Sequence, residues 1–127
     1  MSDAVKDLTR NMLRKRLFVM LREPLDPSLA ARHIEAHLRW VIDREARDQV
    51  FASGPFVAPG VAPGTPGSPE GGLTILRAAS REEARAIADS DPYVISGCVS
   101  YRLKEWLVME GGLRLRVSFS QGTYTLE

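Results

Sequence analysis

The sequence predicts an α+β fold in which an antiparallel sheet carries two helices on one face, and three observations predict it. Leu17 to Leu21 (LFVML) is an unbroken apolar run of strand length, suited to a central strand buried on both faces. Two stretches of helical periodicity, opening at Asp26-Pro27 and at Ser80, interrupt strand-like runs to give the order β-α-β-β-α-β. After Glu110-Gly111-Gly112, the apolar Leu113, Leu115, Val117 and Phe119 alternate with Arg114, Arg116, Ser118 and Ser120, which adds a C-terminal β-hairpin. This order is that of the ferredoxin-like split βαβ arrangement, whose helices cover one sheet face. The other face needs a cover, and a second copy of the chain packed sheet to sheet supplies the simplest one.

The elements follow in order. Residues 1–16 are polar and basic and are expected to form a solvated N-terminal arm, although Val5, Leu8, Met12 and Leu13 recur at helical spacing. A single domain is expected over residues 17–127. Arg22 and Glu23 lead the first strand to Pro24, which stops it. Asp26 can cap free amide groups and Pro27 suits the first helical position, so a helix is predicted from Pro27 to about Asp48. Ala30, Ile34, Leu38, Val41 and Ile42 form its apolar stripe. At ~100° per residue, His37 lies about 60° from Ile34, on the shoulder of that stripe, with Trp40 and His33 further round.

Val50 to Ser53 is the second predicted strand, ended by Gly54-Pro55. Residues 57–72 are rich in proline and glycine, which forbids helix and predicts a lid or a disordered loop. That loop has no P-loop lysine and is not a phosphate cradle. Leu73 to Leu76 is the third strand. Ser80 and Glu83 then form a capping box for a short helix burying Ala84, Ile87 and Ala88. Pro92 marks its boundary, and one more turn is expected around Val94 to Gly97. Val99, Tyr101 and Leu103 alternate as a half-buried strand, with a slip of phase at Lys104-Glu105 that suggests a bulge or bend. The hairpin occupies residues 110–127, with Thr123 to Leu126 as its last strand.

Composition narrows the function classes. The chain has 127 residues, 44% hydrophobic and 26% charged, the balance of one ordinary globular domain. Its net charge of +1 demands neither nucleic acid nor an anionic membrane as partner. Cys98 is the single cysteine, which excludes an internal disulfide or a cysteine metal cluster and fits a reducing compartment. A bland buried thiol is its expected state. No apolar run approaches a membrane span and no signal-peptide core is present, so the chain is expected to be cytoplasmic.

The residues suited to chemistry are few. A histidine can take and return a proton near neutral pH, and a carboxylate beside it fixes its tautomer and stabilises the cation. His37 on its helix flank and Asp91 before Pro92 are the candidates; the alternative is a structural pair in which Asp91 only caps a helix. Ser53 and Tyr93 could donate hydrogen bonds in the same pocket, or be ordinary satisfied hydroxyls. His33 and His37 are four apart, a spacing compatible with a shared metal. No third ligand presents itself, so no metal and no cofactor are expected. Trp40 and Trp106 read as core, with an aromatic wall for the substrate as the alternative.

Four pieces in order carry a family resemblance. They are the strand LFVML; a helix bearing His37-Leu38 with Gly54 of Ser-Gly-Pro seventeen residues after the histidine; the capped EEARAIADSDPYV segment; and a strand ending near Lys104-Glu105-Trp106. Together they resemble the YciI-like (YCII-related) family of the dimeric α+β barrel superfamily, over Leu17 to about Trp106. The resemblance implies a homodimer, a His-Asp catalytic pair at His37 and Asp91, and a contributing serine at Ser96, five residues after the aspartate. It also implies an elimination, of the kind that dehydrochlorinates a chlorinated hydroxyquinol. The arm, the 57–72 loop and the hairpin exceed the usual family length. Three functions stay open: a small lyase or isomerase acting on a small, oxygenated molecule; a dimer that binds a small molecule without turnover; and an accessory dimer offering a surface to other proteins.

Overall fold

The computed structural model describes residues 1–60, 62 and 70–127. Half of the loop expected over 57–72, residues 61 and 63–69, lies outside the described residues. The elements are α1 (Asp3–Thr9), β1 (Lys15–Pro24), a 3-10 turn (Pro27–Leu29), α2 (Ala30–Ala46), β2 (Val50–Pro55), β3 (Gly72–Leu76), α3 (Arg81–Asp89), α4 (Pro92–Ile95), β4 (Val99–Val108), β5 (Leu115–Ser118) and β6 (Thr123–Leu126). They fall into two compact units, residues 16–107 and residues 1–15 with 108–127.

The larger unit has the ferredoxin-like α+β fold. Its sheet runs β2-β3-β1-β4, with β3 antiparallel to both β1 and β2. Registers Phe18↔Leu76, Met20↔Thr74 and Arg22↔Gly72 put alternate residues of β1 and β3 on a common face. Phe18, Met20 and Leu76 on that face join Trp40, Val50, Ala84, Ile87 and Ala88 in the main core. Ala30, Tyr93, Cys98 and Val99 form a second, smaller cluster.

In β2 the register slips between Val50 and Ala52, leaving Phe51 as an extra residue. A shift of one residue turns every later side chain to the other face of a strand. Val50 therefore pairs with Leu76, yet Ser53 pairs with Thr74 and shares its face. Without the bulge Ser53 would point away from the helices. The irregularity expected at Lys104-Glu105 does not interrupt β4, which runs through both residues.

Helix α2 begins as its sequence signals require: Asp26 Oδ1 accepts the Ser28 N–H at 3.2 Å, and Pro27 opens the 3-10 turn. Its buried face differs from the apolar stripe. Ala30, His37 and Trp40 are buried, whereas Leu38 and Ile42 are 48% and 61% exposed. The helix turns its His37–Trp40 side to the protein interior and leaves Leu38 and Ile42 along a cavity. The Ser80 cap forms as expected, with Oγ accepting the Glu83 N–H at 3.1 Å, but Glu83 returns its bond to the N–H of Ala79. Trp106, expected in the core, is 40% exposed.

In the smaller unit the arm is not simply solvated chain, because Ser2 caps helix α1. None of the residues of α1 is buried. Leu13 N–H donates to Met109 O at 3.1 Å. Strands β5 and β6 pair from Leu115↔Leu126 to Ser118↔Thr123, shorter than the alternation predicts, and leave Phe119 exposed at the turn. Among the described residues, no helix is long and apolar enough to cross a membrane.

Candidate active site

Asp91 sits at the junction of α3 and α4, where Pro92 removes an N–H and starts a new turn. Its extended backbone makes it the N-cap of α4, with Oδ1 accepting the Tyr93 N–H at 2.9 Å. The same oxygen lies 2.8 Å from His37 Nδ1 on α2. An oxygen that already accepts an amide proton is an acceptor here, so Nδ1–H donates to it, and in the neutral imidazole Nε2 then carries the lone pair. Asp91 is fully buried and His37 nearly so. The Tyr93 ring stacks on the imidazole with centroids 4.2 Å apart and planes at 10°, and Trp40 lies 5.8 Å away on the same ring. The histidine is held by a hydrogen bond at one edge and by aromatic faces.

His37 lines a cavity of about 560 Å³, within the usual range for small-molecule sites. Helix α2 gives it an apolar wall of Ile34, Leu38, Val41 and Ile42, and β2 contributes Ser53. Ser53 Oγ is 2.8 Å from Thr74 Oγ1, a contact made possible by the β2 bulge. Tyr93 also lines the cavity, but its ring meets the site: the hydroxyl is buried, with no partner among the described residues. Burial, with Cys98 and Asp91 nearby, pushes that hydroxyl up to about 12 against the opposing pull of Arg22.

Ser96 stands apart. It is not among the residues lining this cavity; its hydroxyl donates to Tyr93 O and accepts the Cys98 N–H, both at 3.3 Å, and so closes the end of α4. Cys98 does line the cavity, yet burial pushes its thiol up, with Asp26 and Asp91 acting in the same direction, the opposite of what a nucleophile needs. His33 is half-buried and, among the described residues, no group of three or more His, Cys, Asp or Glu could hold a metal.

The cavity also contains a residue that reading the sequence for chemistry passed over. Arg22, near the end of β1, is 5% exposed and lines the cavity. Its guanidinium donates to Thr74 Oγ1 and, at 3.5 Å, to Gly54 O. It forms no ion pair among the described residues; Asp91 acts on it only through space. Taking a cation out of water costs several kcal/mol, and hydrogen bonds to a charged group return about 1.5–3 kcal/mol each. Burial accordingly lowers its pKa, against the raising effects of Asp91 and Tyr93, but an arginine stays charged at neutral pH. The available signal was alternation: Phe18, Met20 and Arg22 share one strand face, so an arginine there continues a core row.

The fold and site together define a ferredoxin-like α+β protein with a buried histidine–aspartate pair at a small-molecule-sized cavity. The YCII-related domain matches residues 17–107, and the chain belongs to that family. A solved structure of similar fold is 5-chloro-2-hydroxyhydroquinone dehydrochlorinase from Burkholderia phenoliruptrix, in complex with 2,5-dihydroxybenzoquinone. It is 24% identical, with a TM-score of 0.55, and the match covers 71% of this chain and 92% of that one. No curated protein sequence matches the chain.

Proposed function

We propose that the chain is a small proton-transfer enzyme of the lyase or isomerase type, acting on a small oxygenated ring compound. The observation that carries this reading is the 2.8 Å contact between His37 Nδ1 and Asp91 Oδ1, with the histidine lining the cavity. His37 Nε2 is the general base, and Asp91 holds the tautomer and stabilises the imidazolium. Ser53 offers a hydroxyl to the substrate, and the Tyr93 ring keeps the imidazole plane fixed. In an elimination, the base takes a proton, the leaving group departs with its bonding pair, and a double bond forms. The imidazolium then releases its proton to solvent.

The dehydrochlorinase of similar fold supports this reaction type, and its substrate is the first to test. Incubation with 5-chloro-2-hydroxyhydroquinone, followed by chloride release above the protein-free rate, is the expected result. A calorimetric titration on the same sample separates the alternatives: binding heat without released chloride overturns turnover of this substrate and leaves a binding protein. We further propose that the chain works as a cytoplasmic homodimer. The family resemblance and the lone free thiol support this, and the mass in solution should be twice 14.1 kDa by light scattering.

A further inference from the structure

We propose that Arg22 is an anion-binding subsite of the cavity, and that the substrate is an acid whose ionised oxygen, a carboxylate or an ionised enol or phenol, docks on its guanidinium. The inference rests on reading the cavity as the substrate site, and it deepens that reading by naming a substrate class.

The Arg22 guanidinium has donors that the protein leaves without a charged partner. A guanidinium presents five N–H donors in a planar fork suited to a pair of oxygens. Here two nitrogens are accounted for, by the neutral Thr74 hydroxyl and the Gly54 carbonyl, the latter at the limit of hydrogen bonding. Neither partner carries charge. The nearby carboxylate, Asp91, spends Oδ1 on His37 and the Tyr93 N–H, while its buried Oδ2 has no hydrogen-bond partner among the described residues and makes no ion pair with Arg22. A buried, permanently charged group at a cavity wall, paired only with neutral acceptors, is suited to an anion supplied from the cavity.

The backbone around Arg22 is fitted to that side chain. A Cβ on Gly72, its register partner, would lie 2.6 Å from Arg22 Nη2 and 2.9 Å from Gly54 O. Only a glycine leaves the fork its place between β3 and β2. The subsite also suits the proposed chemistry, because a proton removed by His37 leaves negative charge that a fixed cation nearby can stabilise.

The test uses benzoate and benzamide, two ligands of one shape that differ in charge, and reads equilibrium binding rather than turnover. Both are titrated into the full-length wild type, Arg22→Met and His37→Ala by NMR, at one pH and salt concentration. Benzoate should bind wild type at least about tenfold more tightly than benzamide, the factor expected of one charge-assisted contact. Transfer of magnetisation from its ring to Ser53 and Tyr93 should place it in the cavity. In Arg22→Met the preference should fall to about one, while His37→Ala should retain it. A merely structural Arg22 would alter stability without changing this ratio.

Equal affinity of wild type for the two ligands overturns the subsite, as does a preference preserved in Arg22→Met or benzoate located elsewhere. The wild-type comparison and the ligand's location decide the matter even if Arg22→Met does not fold. Failure of the subsite is distinct from failure of the catalytic reading. A charge preference with no turnover of any substrate removes the enzyme and leaves the subsite; turnover without the preference does the reverse.

Discussion

Replacing Asp91 with alanine is expected to lower stability by about 3–5 kcal/mol and turnover by about 10²–10⁴-fold. The stability loss has separable sources. The cap of α4 disappears, at about 1 kcal/mol. That cap is the Tyr93 N–H bond, and His37 Nδ1–H separately loses the same oxygen, at about 1–3 kcal/mol if left buried and unpaired. Arg22 loses the negative charge that helps keep it ionised. The turnover loss has another source, since an unheld imidazole can adopt the wrong tautomer or rotate. Asp91→Asn separates the two. Its side-chain oxygen can still cap α4, so urea denaturation should show a much smaller loss of stability while turnover stays low. Near-normal turnover in Asp91→Asn would mean that the carboxylate only builds the fold.

Gly71→Ala should cost about 2–5 kcal/mol in urea denaturation, the other large effect expected of one substitution. Gly71 has φ +80°, a left-handed conformation that costs a residue with a Cβ about 1–2 kcal/mol. The added Cβ would also lie 2.2 Å from the carbonyl oxygen of Arg22 and 3.3 Å from the Pro24 ring. The first of these is backbone, so relief requires β1 or the start of β3 to move, an overpacking cost of about 1–3 kcal/mol. Because β1 carries Arg22, the damage should reach the cavity. A Gly71→Ala protein as stable as wild type would show that the two strands are not held at this separation.

Much of the fold was legible because it rests on local signals. LFVML marked the central strand, Asp26-Pro27 the helix start, and Ser80 the cap of the third helix. Pairing His37 with Asp91 needed more. Periodicity put His37 on the shoulder of the α2 stripe, and the family resemblance chose it over His33 and implied a catalytic pairing with Asp91. In the structure His37 sits on the buried face, while Leu38 and Ile42 of the stripe face the cavity. Hydropathy cannot distinguish an apolar side chain that packs on a core from one that lines a cavity. Ser53 was named without its orientation, because the β2 bulge that turns it toward Thr74 leaves no mark in composition. Ser96 came from the resemblance alone, and its observed bonds are to backbone groups around α4. Arg22 was read as the polar exit of a strand. Its burial depends on Thr74 and on the glycines at the start of β3, partners about fifty residues away in sequence.

The central claim is that His37 moves a proton in this cavity, and the His37→Ala variant tests it most directly. Its rate of chloride release from 5-chloro-2-hydroxyhydroquinone should fall by about 10²–10⁴-fold. Its circular dichroism and its solution mass should match those of wild type, so that the loss belongs to chemistry and not to folding or assembly. A folded His37→Ala protein that turns over within about tenfold of wild type, short of the factor general base catalysis supplies, would contradict the account.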